Sequence, residues 1–212
     1  MRPDKRVTKD YLEAFAQIAS KIALSLKGAS SSALPVHMVI AGGAALHLHT
    51  GARVSEDIDA TFSRRLVLAD DMSVSYRDID GRARILYLDR NYNDTLGLLH
   101  EAAYKESIPV SMPGVDPKLI DVRVLSPLDL AVSKLSRFSD QDRQDIEHLA
   151  RERLVSSKAL RRRAEEALNR YIGNIDTLKN TIDIACRLVD AANPPRPQRR
   201  TGATSRGVRR GP

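Results

Sequence analysis

A chain of 212 residues, 42% of them apolar, can enclose one full-sized domain or a core domain with a small helical appendage, and no stretch approaches the roughly 18 uninterrupted apolar residues of a membrane span. Its single cysteine, Cys186, excludes an intramolecular disulfide framework and a cysteine-rich zinc site. The net charge of +7 invites a nucleic-acid partner, but six arginines within residues 193–212 carry most of it, which leaves about +1 on the rest.

The first ten residues are charged and no hydrophobic run follows them, so a cytoplasmic protein is expected. Residues 8–27 read as an amphipathic packing helix, with Leu12, Phe15, Ala19, Ile22 and Leu26 on one stripe and Gly28 placed to end it. A Ser-rich connection leads through Pro35 to a short apolar strand, Val39-Ile40-Ala41, which stops at Gly42-Gly43. A helix over residues 44–50 follows, ended by Gly51. His47 and His49 stand two apart on it and share no face, so they read as packed or surface histidines rather than a metal pair. After Arg53-Val54-Ser55, the run Asp57-Ile58-Asp59-Ala60-Thr61-Phe62 alternates as a strand, with Asp57 and Asp59 on one face and Ile58 on the other. Carboxylates about 6.6 Å apart along a strand can converge on one hydrated Mg²⁺, or on two ions about 3.5–4 Å apart. The glycines let the backbone approach a ligand, and the N–H groups of the following helix face a phosphate. A lone Asp-x-Asp is more often a pair of solvated acids on an edge strand, and Gly-Gly more often only a turn. Here they occur together at a short fixed interval.

Further along, residues 73–89 alternate as a hairpin turning at Asp80-Gly81, which puts Asp89 at a strand end. Residues 96–106 read as a helix, 108–117 as a Pro/Gly-rich loop and 118–125 as another strand, which carries Asp121. Ser126-Pro127-Leu128-Asp129 opens a helix with a capping box; its apolar stripe is Leu128, Ala131, Leu135 and Phe138, and Lys134 and Arg137 lie three apart where both can face one anion. Ser139 and Asp142 form a second capping box, whereas Asp145 has no such local task. A solvated salt-bridge face is the plainer reading of Lys134, Arg137, Asp142 and Asp145. From residue 156 to about 190 the chain is helical, interrupted at Gly173-Asn174, with Cys186 among the core positions and Arg161-Arg162-Arg163 on a solvated face. Residues 193–212, rich in Pro, Gly, Arg and Ser, have the composition of a disordered tail that either docks RNA or only solubilises the terminus.

The pairing of Gly42-Gly43-Ala44-Ala45-Leu46 with Ser55-Glu56-Asp57-Ile58-Asp59 resembles the polymerase-beta-like nucleotidyltransferases. Together with Leu128-Asp129-Leu130-Ala131-Val132-Ser133-Lys134-Leu135 and Asp142-Arg143-Gln144-Asp145-Ile146, it is most similar to the branch that holds the AbiE-type and MenT-type toxins. The resemblance covers roughly residues 39–149. It implies an α/β (α+β) fold with a mixed sheet: a nucleotidyltransferase domain over residues 1–152, a helical region over 153–192 and the tail. It further implies that Asp57 and Asp59 hold Mg²⁺, with Asp89 as first candidate for a third carboxylate and Asp121 as second. Gly42, Gly43 and Ser55 would engage the triphosphate of an NTP, Lys134 and Arg137 would neutralise its charge, and Asp145 would orient Lys134 or the acceptor. A nucleoside monophosphate would pass to RNA, a tRNA end by analogy, in a toxin restrained by a cognate antitoxin; phosphotransfer to a protein stays open. A catalytically silent nucleotide- or RNA-binding regulator of the same fold is the alternative, as is a regulator acting through the Arg-rich tail.

Overall fold

Val36, Met38 and Ile40 point to one side of a strand and are fully buried, and that strand, β1 (Val36–Ile40), is the centre of a mixed sheet. The computed structural model describes residues 1–26, 28, 30–93 and 97–193. In the first sheet β1 pairs in parallel with β7 (Ile120–Val124), antiparallel with β3 (Ala60–Phe62), and β7 carries the short β6 (Ile108–Pro109) on its other edge. The second sheet has β5 (Ala83–Leu88) in the middle, parallel to β2 (Asp57–Ile58) and antiparallel to β4 (Ser73–Arg77). The expected hairpin is therefore present, with Gly81 at φ 76° in its turn. The fold is α+β, as the resemblance implied.

One departure from expectation matters for the site. Residues 57–62 do not make one strand; β2 pairs in the second sheet, β3 in the first, and Asp59 is the joint between them. Its carbonyl accepts from Ala41 N–H at 2.8 Å, while Ile58 O accepts from Asp89 N–H at 3.0 Å and Glu56 O from Tyr87 N–H at 2.9 Å. The two acids thus belong to a segment sewn into both sheets.

Helices cover this frame through their apolar faces. α1 (Lys9–Ser25), capped by Thr8, buries Tyr11, Phe15, Ile18 and Ile22 against β4, β5 and β7. Helix α2 (Gly42–Thr50) packs on α3 (Pro127–Ser133) and α4 (Asp140–Arg151). His47 and His49 bond to backbone carbonyls of Ala52 and Leu125 at 2.6 and 2.8 Å, so they serve packing, as expected. At the C-terminal end α5 (Ser157–Leu168) and α6 (Ile175–Ala192) pack on each other and against α3 and α4, with Cys186 buried in α6.

Three local expectations need correction. Residues 97–106 form successive turns and no helix; Leu98 and Ala103 are anchored in the core, and Arg123 ties down Ser107. The expected helix through Phe138 ends at Ser133, where Lys134 and Leu135 bond back three residues and Phe138 adopts φ 48°. Arg163 is no solvated arginine, because its guanidinium forks onto buried Asp129 at 2.8 and 3.0 Å and pins α5 to α3. With its carboxylate so engaged, Asp129 takes the Ser126 hydroxyl at 2.7 Å instead of completing a reciprocal capping box. The Arg-rich tail falls outside the described residues from 194 onward.

Candidate active site

Two glycines at the start of α2 are slots for the acid-bearing segment. Gly42 has φ 56°, and a Cβ there would stand 1.8 Å from Asp59 Oδ2. At Gly43 a Cβ would stand 2.4 Å from Ser55 Oγ. A side chain at Gly42 would displace the Asp59 carboxylate and add the cost of a left-handed backbone, and one at Gly43 would displace Ser55. Ser55 is buried and donates to Asp57 Oδ1 at 2.5 Å, so it sits behind Asp57 and fixes one of its oxygens.

Asp89 and Asp121, the alternatives for a third carboxylate, fall in different places. Asp89 leaves β5 beside the pair, its N–H bonded to Ile58 O and its carboxylate capping Asn91 N–H at 2.9 Å. Asp121 lies opposite His37, toward the end of β1 remote from Gly42, and its carboxylate meets His37 Nδ1 at 3.0 Å and Arg123 at 2.9 Å. Burial pushes the Asp59 carboxyl up to about 6, and the charges of Asp57 and Asp89 add to the shift, against weaker opposing pulls from Lys134 and Arg137. The charges of Asp57 and Asp89 thus reach Asp59 and outweigh those of Lys134 and Arg137. Half-buried carboxylate oxygens are hard donors that fit Mg²⁺, which typically takes one or two carboxylates and completes its shell with water and phosphate. Among the described residues no three His, Cys, Asp or Glu side chains are placed to hold a metal ion by themselves.

Across from the acids stands a wall of paired cations. Lys134 is buried and donates to Asp145 Oδ2 at 2.6 Å, with Asp142 Oδ1 at 3.6 Å. Asp145, fully buried, also receives a two-pronged Arg53 guanidinium at 3.1 and 3.0 Å and the Gln141 amide at 3.0 Å. Asp142 keeps its expected capping box with Ser139 and takes an Arg137 fork at 2.8 Å on both prongs. Burial alone would raise both carboxyls, yet the Arg137 and Ser139 bonds bring Asp142 down to about 2 and those of Arg53 and Lys134 lower Asp145. Arg137 stays open to solvent, with its side chain 74% exposed. Between the acids and this wall lies a cavity of about 340 Å³, lined by Gly42, Asp59, Lys134, Arg137, Tyr92 and Asn93 among others. Lys134, Arg137, Asp145, Gly42 and the acids are thus brought together, while Asp121 is not. Arg53 and Gln141 were missed; their partner lies far away along the chain in the first case and is one of several acids on α4 in the second.

A helix that begins on glycines, grips an Asp-x-Asp segment and faces lysine and arginine across a cavity places the molecule among nucleotidyl-transferring proteins of α+β fold. Residues 13–186 match the model of a family described as "Nucleotidyltransferase of unknown function (DUF6036)", and the chain belongs to that family. Its general chemistry is nucleotidyl transfer, with a nucleotide as substrate. No curated protein matches the chain, and no solved structure does.

Proposed function

We propose that the protein is a Mg²⁺-dependent enzyme that moves a nucleoside monophosphate from an NTP to RNA, a tRNA end by analogy, as the cytoplasmic toxin of a toxin–antitoxin pair close to the AbiE and MenT branch. The observation that carries the enzymatic part is the crowding of Asp57, Asp59 and Asp89 opposite Lys134 and Arg137, which leaves Asp59 at about 6. Asp57 and Asp59 would hold the ion, with Ser55 fixing Asp57. Bound there, the ion would neutralise charge on the phosphates and on the leaving pyrophosphate. Arg137, exposed beside the cavity, meets the triphosphate first, and Lys134 supplies a fixed positive charge from behind it. Asp145 and Arg53 hold that lysine in one rotamer, so its charge is in place before the reaction rather than recruited during it. An acceptor hydroxyl then attacks the α-phosphorus, forming one P–O bond and breaking the bond to pyrophosphate, with the hydroxyl proton leaving to solvent. Residues 1–152 carry the chemistry and residues 153–192 buttress α3 and α4 from outside, Arg163 being the strongest tie.

The test is incubation of the full chain with each labelled NTP, Mg²⁺ and total RNA. Label in RNA, absent with EDTA, is the expected result. Label in protein alone would move the acceptor to phosphotransfer, and NTP binding without transfer to anything would make the chain a silent nucleotide-binding module.

A further inference from the structure

The cavity assigned to the NTP is one of a series. It shares Tyr92 and Asn93 with a second cavity of about 360 Å³, which also holds Asp89, Arg64, Arg65 and Arg90. That one shares Thr61 and Phe62 with a third of about 470 Å³, lined by His37, Tyr104, Lys105 and Arg123. The third opens on the face of the first sheet opposite Met38 and Ile40: His37 and Val39, paired with Asp121 and Arg123, lie on that face, His37 exposed and Val39 still buried. Asp57, Asp59 and Thr61 alternate with buried Ile58 and Ala60, so this trough begins about 6.6 Å beyond Asp59 along the chain. Asp59 therefore borders the first cavity and Asp89 the second, which meets the third at Thr61 and Phe62.

The trough's chemistry is specific. Arg65 and Lys105 line the trough, are exposed and have no ion-pair partner among the described residues. Among the described residues Arg64 bonds to the carbonyl of Ala33 at 3.1 Å and has no ion pair, and Arg90 is 3.6 Å from an Asp70 carboxylate that is itself fully exposed. Phe62 and Tyr104 supply ring surface beside these cations. Cations at intervals along a trough, with aromatic rings between them, match a ligand that repeats an anion and offers a flat π-face per unit. A single-stranded nucleic acid does both. A duplex buries its base faces and leaves the rings no partner.

We propose that this trough is the acceptor track: a single-stranded RNA end lies along Arg64, Arg65 and Arg90, stacks a base against Phe62 or Tyr104, sets a phosphate on Lys105, and presents its hydroxyl at Asp59. This deepens the nucleotidyl-transfer reading and rests on it for the role of the RNA; the binding surface itself is testable without turnover. A fluorescent single-stranded RNA oligonucleotide is titrated with full-length wild type, the Arg65→Glu, Lys105→Glu double variant, and Tyr104→Ala, over a range of salt and without NTP. The Arg-rich tail is the same in all, so it cancels in the comparison. The double variant is expected to bind at least tenfold more weakly at low salt, with a slope of log affinity against log salt reduced by about 1.4, for two lost phosphate contacts at about 0.7 each. Tyr104→Ala is expected to lose at least fivefold with the slope unchanged. Equilibrium binding of NTP to each variant, and the thermal unfolding midpoint of the double variant, are expected to match wild type. Unchanged RNA affinity and slope in the double variant would overturn the track even where wild type transfers nucleotide to RNA. Equally tight binding of blunt duplex RNA would overturn its single-stranded character. Failure of wild type to transfer, with the binding differences intact, would instead remove the nucleotidyl-transfer reading and leave the surface standing.

Discussion

Two groups of aspartates face each other across the donor cavity, and they are treated in opposite ways. Asp142 and Asp145 are buried under arginine, lysine, amide and hydroxyl donors, and their carboxyls are held low. Among the described residues Asp57, Asp59 and Asp89 accept only one hydroxyl and one backbone N–H as side-chain hydrogen bonds, and Asp59 is pushed up to about 6. Like residues thus meet unlike surroundings: where the protein satisfies a carboxylate itself, the charge builds structure and places Lys134; at Asp59, where it does not, burial and neighbouring negative charge push the carboxyl up.

That contrast breaks first at the unsatisfied acids. Asp59→Ala or Asp57→Ala should lower nucleotide transfer by about 10³-fold or more through loss of an ion-holding charge, while the melting temperature stays equal or rises as repulsion is relieved. Labelled-NTP transfer and thermal unfolding on the same preparations check this; a variant that keeps most of its activity would undo the assignment. The satisfied group should behave in reverse. Asp145→Ala strands buried Lys134, so denaturant unfolding should register a loss of about 3–5 kcal/mol, and a loss under about 1 kcal/mol would mean the network is solvated in practice. Lys134 sits on both sides of the divide. Lys134→Ala should cost about 2–4 kcal/mol in transition-state stabilisation, read from kcat/KM at several pH values and independent of pH, and an effect below tenfold would confine the residue to structure.

The smallest effect sharpens the contrast by its sign. Stability contributed by Asp142, whose carboxyl lies below its ordinary value of about 4, is fully present above that value and is lost as pH falls through about 2. Asp59 is raised, so its ionisation costs stability; the cost is fully present above about 6 and is relieved as pH falls toward 4. Between pH 6 and 4 the wild type should gain slightly in melting temperature and Asp59→Asn should not, and the two curves running parallel would show that Asp59 does not titrate in that window.

Much of the local structure around Gly42 and Asp59 was legible because its signals are local. The Asp80-Gly81 turn that delivers Asp89 and the Ser139 cap depend on residues a few positions apart, and Gly42-Gly43 and Asp57-Ile58-Asp59 flank one short helix and its loop, so backbone geometry dictates the side chains. Arg53 was invisible for the opposite reason, since its partner Asp145 lies 92 residues away and a long-range ion pair has no spacing rule. Arg163 was misjudged likewise: three consecutive arginines look alike on paper, but only one direction around α5 meets Asp129. The early end of α3 was hidden because the apolar stripe runs on through Leu135 and Phe138, and both are still buried after the helix has stopped.

The joint at Asp59 has a consequence for how such a chain tolerates insertions and deletions. A residue added within β4 or in the turn at Gly81 changes one ladder and is absorbed at an edge. A residue added between Ile58 and Ala60 cannot be absorbed, because β2 is locked to β5 on one side and β3 to β1 on the other. It would shift the two sheets past each other by one step, and since strand side chains alternate, it would turn Asp57 away from Asp59 while every remaining pairing stayed intact. The spacing Asp-x-Asp is thus a length standard for the whole molecule, set by two sheets that share it and not only by the chemistry it carries.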